Sequence, residues 1–268
     1  HAVAFYERQG FRTEERIPLR KTVDGDTEYF TPIEPGDDVN SDATFLRMIW
    51  EPPVVTGEKM ILTAGPSISE REVYYAWDAT RNGWNSKWSG YLDKFEKEFA
   101  QYVGAKYALA TSSCTGALQI ALMALDVGEG DEVIVPDLTW VASANAIRYV
   151  GAIPVFADVE IDTWNIDATS VESLITSKTK AIIAVHMYGH PSRMNKILDV
   201  ASRYGLKVVE DAAPAIGAEW MGQRCGSFGD FAAFSFQGAK PLVCGEGGAF
   251  VTNNKELYEK TTLLEQQL

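Results

Sequence analysis

Residues 234–240 have the sequence Phe-Ser-Phe-Gln-Gly-Ala-Lys, in which a short apolar run ends in Ser235 and is followed at close range by Gly238 and Lys240. A second apolar run, Val208-Val209-Glu210-Asp211-Ala212-Ala213, contains acidic residues at its end. Short apolar runs of this kind are typical of buried β-strands. Because ligands bind at the carboxyl ends of strands in α/β sheets, the two stretches predict such a sheet with polar side chains at one edge.

The remainder of the chain supports an α/β fold. From residue 104 onward, β-rich runs alternate with helical patterns, which is the signature of a mostly parallel sheet with helices on both faces. Apolar residues 115–122 predict a buried helix, and Ser69 with Glu72 forms a capping-box pattern that predicts a helix start. The seven predicted strands are 106–111, 132–136, 153–158, 180–186, 207–211, 231–236 and 248–252.

The composition limits the classes of partner. The chain has 268 residues, and its 37 acidic against 24 scattered basic residues give a net charge of -13. Nucleic acid and anionic membrane surfaces are therefore not expected partners. No apolar run approaches the ~20 residues that span a bilayer and no leader opens the chain, so we expect a cytoplasmic protein.

A metal site is not expected. The three cysteines are far apart in the sequence and lack the close pairs of zinc sites. His186 and His190 have a spacing found in helical metal sites, but Gly189 and Pro191 would break such a helix.

The first 62 residues differ in character from the rest. Residues 2–11, Ala-Val-Ala-Phe-Tyr-Glu-Arg-Gln-Gly-Phe, predict a short helix closed by Gly10 and a strand through Phe11. This pattern resembles the end of a GNAT acetyltransferase, which implies that residues 1–33 are the tail of such a domain, with Tyr6 where that family has a general acid. Residues 34–62 are acidic and turn-rich and predict a linker, and residues 63–268 predict one domain.

Four segments of this domain together indicate a site for pyridoxal phosphate. Lys240 offers an amine that can form a Schiff base, and Asp211 offers a carboxylate for a protonated pyridine nitrogen. The helix start at 112–116 offers backbone amides to a phosphate, to which hydroxyls of Ser113 or Thr115 can add. Trp140 offers a flat indole that can stack on the ring. Each feature taken alone also has an ordinary structural explanation. The segment 112–116 could be a capped helix start, Trp140 a core residue and Lys240 a surface lysine.

The order of these motifs resembles the DegT/StrS-type sugar aminotransferases, which belong to the fold type I pyridoxal-phosphate superfamily. The resemblance begins near Gly65 and continues to the end of the chain. The motifs that carry it are Ser113-Cys114-Thr115-Gly116-Ala117-Leu118, Thr139-Trp140, Val185-His186-Met187-Tyr188-Gly189, Glu210-Asp211-Ala212-Ala213, Gly229-Asp230, Phe234-Ser235-Phe236 with Lys240, and Gly245-Glu246-Gly247-Gly248.

The resemblance implies a role for each matching position. Lys240 is the Schiff-base lysine and Asp211 holds the ring nitrogen. His186 lies near the ring, where it joins Lys240 and Asp211 as a catalytic residue. The remaining cofactor-binding residues hold the ring or the phosphate: Trp140, Thr115, Gly116 and Ser235.

The resemblance also implies an activity: amino transfer, with glutamate as donor, to a keto sugar linked to a nucleotide, by a homodimer. A carboxyl-terminal small domain is expected beyond Leu268. Pro214 stands where the family often has Gln or Glu bonded to the ring hydroxyl, so that contact is lost or replaced. Two alternatives stay open, a sugar dehydratase with the same cofactor and a catalytically silent cofactor-binding fragment. The sequence does not identify the sugar, the carbon or the nucleotide.

Overall fold

The chain folds into two units that divide between Leu62 and Thr63. In this computed structural model, the described residues are 11–24, 27–32, 43–50 and 68–265. The division falls at the residue where the sequence placed the start of the large domain. No helix among these residues is long and apolar enough to cross a membrane.

The first unit contains a three-stranded antiparallel sheet in the order β2-β1-β3. Its strands are β1 (Phe11–Asp24), β2 (Thr27–Pro32) and β3 (Ala43–Trp50). The linker prediction for 34–62 is wrong over β3, because backbone pairing with β1 orders a segment whose composition suggested turns. The strand expected through Phe11 is present, whereas the helix expected before it lies outside the described residues.

The second unit is built on a seven-stranded sheet in the order β4-β12-β11-β8-β7-β5-β6. β12 runs antiparallel to both of its neighbours, and the other pairs are parallel. The predicted mostly parallel sheet is confirmed, with all seven of its strands. These are β4 (Tyr107–Thr111), β5 (Glu132–Pro136), β6 (Ile153–Ala157), β7 (Thr179–Val185), β8 (Lys207–Asp211), β11 (Phe231–Ser235) and β12 (Gly248–Thr252). A separate hairpin is formed by β9 (Glu219–Trp220) and β10 (Gln223–Arg224).

Seven helices accompany the sheet among the described residues. They are α1 (Glu70–Asn82), α2 (Gly90–Val103), α3 (Cys114–Ala124), α4 (Val141–Tyr149), α5 (Ala168–Ser173), α6 (Met194–Tyr204) and α7 (Lys255–Glu265). Ser69 and Glu72 form the predicted capping box at the start of α1. The predicted buried helix is α3, in which seven of eleven residues are buried.

The core lies on both faces of the sheet, because side chains alternate along each strand. On β8, Val209 packs with residues of α3 and α4, whereas Val208 packs with residues of α5 and α6. The same alternation on β11 sends Ala233 toward α3 and Phe234 toward Phe99 of α2. The face on which a residue at a strand end lies therefore decides which helices it meets.

Candidate active site

Asp211 is the last residue of β8 and is only 5% exposed. Alternation places it on the same face as Val209, toward α3 and α4. Its carboxylate accepts hydrogen bonds from Ser143 Oγ at 2.7 Å and from the backbone N–H of Ala213 at 3.2 Å. Among the ion pairs of the described residues, none includes Asp211. A buried carboxylate is costly without a cationic partner, so this site suits a positively charged ligand atom.

A pair of hydroxyl groups supports the Asp211 carboxylate. Ser143 is completely buried in α4, and its Oγ also lies 3.2 Å from Oγ1 of Thr139. An ionised carboxylate only accepts hydrogen bonds, so Ser143 donates to Asp211 and can accept from Thr139. The two hydroxyls thus form a directed chain that ends on the acid.

Cys114 is a third neighbour of Asp211. Its Sγ lies 3.8 Å from Oδ1 of the carboxylate. Burial, and then the negative charge of Asp211, raise the pKa of the Cys114 thiol well above its usual range, while the positive charge of Lys240 opposes this shift. The thiol is therefore neutral.

The start of α3 forms a turn that can bind an anion. Ser113 is the N-cap, and its Oγ accepts a 3.1 Å hydrogen bond from the backbone N–H of Gly116. The backbone N–H groups of Cys114 and Thr115 have no acceptor among the described residues. Two free amides at the positive end of a helix dipole favour a phosphate. The N–H of Gly116 is already bonded to the Ser113 hydroxyl, so the donors that remain open in this turn are the N–H groups of Cys114 and Thr115.

Gly248 brings this turn close to the sheet. It lies at the start of β12, opposite Thr111 of β4 and Ser235 of β11. A Cβ atom at position 248 would lie 2.4 Å from the carbonyl carbon of Ser113 and 2.5 Å from the nitrogen of Cys114. Only glycine allows so close an approach of two backbones.

Ser235 and Lys240 are carried by β11 and the loop that follows it. Ser235 is half-buried and shares the sheet face of Ala233, toward α3. Its Oγ accepts only a long 3.4 Å bond from the backbone of Gln237, which leaves the hydroxyl proton free to donate to a ligand.

Lys240 is partly buried in a loop with tied ends. Phe236 and Gly247 are joined by a 2.9 Å backbone bond, and so are Cys244 and Phe236. The backbone N–H of Lys240 itself donates to the carbonyl of Gln237 at 2.9 Å. These backbone hydrogen bonds hold the loop, and therefore fix the position from which the Lys240 side chain extends.

Trp140 directly precedes α4 and is 77% exposed. It follows β5 at the carboxyl end of the sheet, on the loop that also carries Thr139. An indole that contributes so little to the core has a free face for stacking on a flat ligand.

His186 lies on the opposite face of the sheet from Asp211. The residue is completely buried, its Nε2 lies 3.1 Å from Oε2 of Glu210, and its Nδ1 accepts a 3.0 Å bond from the backbone N–H of Ser192. Nδ1 is an acceptor, so Nε2 carries the proton and donates to Glu210. Both ring nitrogens are occupied and the ring lies on the face opposite Asp211, so the structure does not bring His186 to the candidate site as the sequence predicted.

Glu210 explains why His186 is held there. Besides His186, its buried carboxylate accepts hydrogen bonds from the backbone N–H groups of Gly226, Phe228 and Gly229 at 2.7–2.8 Å. The pair therefore fastens the loop before β11 to β7 and β8. No group of three or more His, Cys, Asp or Glu side chains in the described part of the chain could hold a metal ion.

The structure thus gathers most of the predicted site residues at one edge of the sheet, where the strand ends of β5, β8 and β11 and the start of α3 meet. Sequence reasoning missed Ser143, which is 68 residues from Asp211. Its signal was its spacing, since Ser143 stands three and four residues before Ala146 and Ile147, and a serine on that buried stripe of the helix requires a hydrogen-bond partner. A cavity of about 540 Å³ lies away from these residues, near Tyr107, Asp230 and Asn253.

Comparison with known proteins gives one family and several relatives. The model of the DegT/DnrJ/EryC1/StrS aminotransferase family matches residues 66–267. The chain is 45% identical over 202 residues to the GDP-perosamine synthase of Escherichia coli O157:H7, covering 75% of this chain and 56% of that protein. The chain spans about half the length of the curated relatives it matches.

Solved structures give the same result. The structure of DesI in the presence of its TDP-sugar product matches with a TM-score of 0.70 and 34% identity, over 76% of this chain and 52% of that one. A protein of Streptococcus pneumoniae described as a sugar aminotransferase, in its PLP form, matches with a TM-score of 0.70 and 32% identity, over 76% of this chain and 57% of that one.

Proposed function

Because the chain belongs to the DegT/DnrJ/EryC1/StrS aminotransferase family, we propose that residues 63–268 form the cofactor-binding large domain of a pyridoxal-phosphate-dependent aminotransferase that acts on a nucleotide-linked keto sugar. The observation that carries the proposal is the buried Asp211 carboxylate, which has hydrogen-bond donors but no ion-pair partner among the described residues. A protonated pyridine nitrogen would supply the missing charge.

The residues present fit this cofactor. Asp211 would hold the ring nitrogen, and the exposed face of Trp140 would cover the ring. The free amides of Cys114 and Thr115 would bind the phosphate at the start of α3, where the Ser235 hydroxyl would also donate. When bound, pyridoxal phosphate supplies an electron sink that allows an amino group to leave one carbon and join another.

Lys240 would act twice. Its amine would bind the cofactor covalently, and once displaced by the amino donor it would carry a proton at Nζ between substrate and cofactor carbons. Overall, the amino group of glutamate would replace the keto oxygen of the sugar, and glutamate would leave as 2-oxoglutarate. The choice of glutamate rests on the family resemblance.

The proposal includes a homodimer with its active site at the subunit interface. Large apolar side chains in the segments that follow β6 and β7 remain exposed, including Ile161 and Tyr188 at 94 and 75%. Large exposed apolar side chains support such an interface. Sedimentation of the protein should give twice the chain mass, and a monomer at micromolar concentration would refute this part. A cytoplasmic location belongs to the proposal because the substrates are nucleotide-linked sugars.

The amino-terminal unit has a separate proposed origin. We propose, on the sequence resemblance alone, that residues 1–33 derive from an acetyltransferase-like domain, and we assign them no activity.

A visible absorption titration tests the central proposal. Addition of pyridoxal phosphate should give a yellow absorption band that bleaches with glutamate, and Lys240→Ala should abolish the band. Lys180→Ala, which removes an exposed lysine from β7, is the matched control and should keep it. A band that ignores glutamate would favour a binding-only fragment, and glutamate-independent loss of a sugar hydroxyl would favour a dehydratase. No band from a folded protein would refute cofactor binding.

A further inference from the structure

The shortest hydrogen bond to the Asp211 carboxylate comes from the hydroxyl of Ser143, at 2.7 Å, and Ser143 is completely buried. Its backbone lies within α4, so the position of Oγ is fixed by the helix rather than by a loop. The second hydroxyl, Thr139 Oγ1 at 3.2 Å, fixes the direction in which the Ser143 proton points.

The two oxygens of the Asp211 carboxylate have different partners. Oδ2 accepts from Ser143, whereas Oδ1 accepts from the backbone N–H of Ala213 at 3.2 Å and lies 3.8 Å from the Cys114 thiol. Donors on both oxygens fix the rotation of the carboxylate plane. Among these contacts, only the bond from Ser143 comes from a side-chain hydroxyl at close range.

We propose that Ser143 is a positioning residue that holds the carboxylate plane of Asp211 toward the ring nitrogen of the cofactor. The proposal rests on the proposed function for the identity of that ligand. The thiol of Cys114, on α3, also lies 3.8 Å from the carboxylate. Burial raises the pKa of this thiol well above its usual range, so Cys114 is a neutral, weak donor that does not replace Ser143.

Loss of the hydroxyl has a definite expected effect. A hydrogen bond to a buried charge typically changes an equilibrium by about tenfold or more. Ser143→Ala should therefore weaken the binding of pyridoxal phosphate about tenfold. Ser143→Thr, which keeps a hydroxyl on the same carbon, should restore binding.

The first measurement uses cofactor-free protein. The carboxyl carbon of Asp211 is observed by ¹³C NMR at neutral pH, and its resonance is assigned by its disappearance in Asp211→Asn. Ser143→Ala should shift this resonance, because the carboxylate loses its shortest hydrogen bond. Ser192→Ala is the matched control, because Ser192 is equally buried but its hydroxyl donates to the carbonyl of Val185 at 2.8 Å. This control should leave the resonance in place.

The second measurement is a double-mutant cycle on the dissociation constant of pyridoxal phosphate, followed by tryptophan fluorescence. Ser143→Ala should weaken binding about tenfold in the parent protein and less than twofold in the Asp211→Asn background. An unmoved NMR resonance, or an equal loss of affinity in both backgrounds, would overturn the positioning role. If the parent protein binds no cofactor, the proposed function fails while the NMR comparison still decides whether Ser143 acts on the Asp211 carboxylate.

Discussion

Substitution of Gly248 by alanine should disturb the sheet and the phosphate-binding turn together. The new Cβ would lie 2.4 Å from the carbonyl carbon of Ser113, 2.7 Å from its oxygen and 2.5 Å from the nitrogen of Cys114. Ordinary contacts of a Cβ atom begin at 3.4 Å, so the two backbones must separate by about 1 Å. No flexible side chain can absorb this movement, because all three contacts are with backbone atoms.

The size of the effect follows from the two elements that would have to move. β12 is paired on both sides, with β4 and β11, and the turn is tied to the start of α3 by the cap at Ser113. Overpacking in a well-packed core costs about 1–3 kcal/mol, and the upper end applies where backbone must shift. About 3 kcal/mol corresponds to a fall of roughly 6–12 °C in the melting temperature of a domain of this size.

Thermal unfolding followed by circular dichroism, together with the dissociation constant of pyridoxal phosphate, measures both consequences. Displacement of the amides of Cys114 and Thr115 should weaken cofactor binding by at least about tenfold. Gly238→Ala is the matched control, because a Cβ atom there meets nothing within 4 Å. It should change stability by less than about 0.5 kcal/mol. Equal melting temperatures for Gly248→Ala and the parent protein would refute the close approach of β12 to the turn.

Two substitutions, a thiol reagent and a pH series test other parts of the structure. Glu210→Gln should lower the free energy of unfolding by about 3 kcal/mol in urea titrations, because the amide cannot accept from all four donors now held by the carboxylate; an unchanged midpoint would contradict this. Trp140→Ala should leave stability within about 0.5 kcal/mol but weaken cofactor binding about tenfold, since the side chain is exposed; unchanged affinity would exclude stacking. With a thiol reagent at pH 8, Cys244 should react first, because it is exposed. Burial raises the pKa of the Cys225 thiol to about 12 and the pKa of the Cys114 thiol well above its usual range, so both should react slowly. Since both buried thiols favour the protonated form in the folded state, stability should fall as pH rises above about 8.5, where the unfolded thiols ionise; a flat alkaline profile would contradict this.

The fold and much of the candidate site could be predicted from the sequence because they depend on local patterns. Apolar runs bounded by glycine located all seven strands, and the order of the motifs located Asp211 and Lys240. The contact between Ser143 and Asp211 could not be predicted in this way, because it joins residues 68 positions apart and depends on the packing of α4. β3 was missed although five of the six residues 45–50 are apolar, because the acidic and turn-rich composition of the surrounding segment predicts a linker.

The role of His186 was the one site expectation that strand alternation alone could have corrected. Glu210 and Asp211 are consecutive in β8, so their side chains must lie on opposite faces of the sheet. His186 directly follows β7 and is two residues after Ala184, so its side chain lies on the same face of the sheet as Ala184, which packs with residues of α5 and α6. It therefore meets Glu210 and not the Asp211 carboxylate. The two adjacent acids at the end of β8 therefore have different roles. Glu210 binds backbone amides and His186 and holds the strand ends together. Asp211 lies on the other face of the sheet, where it can bind a ligand.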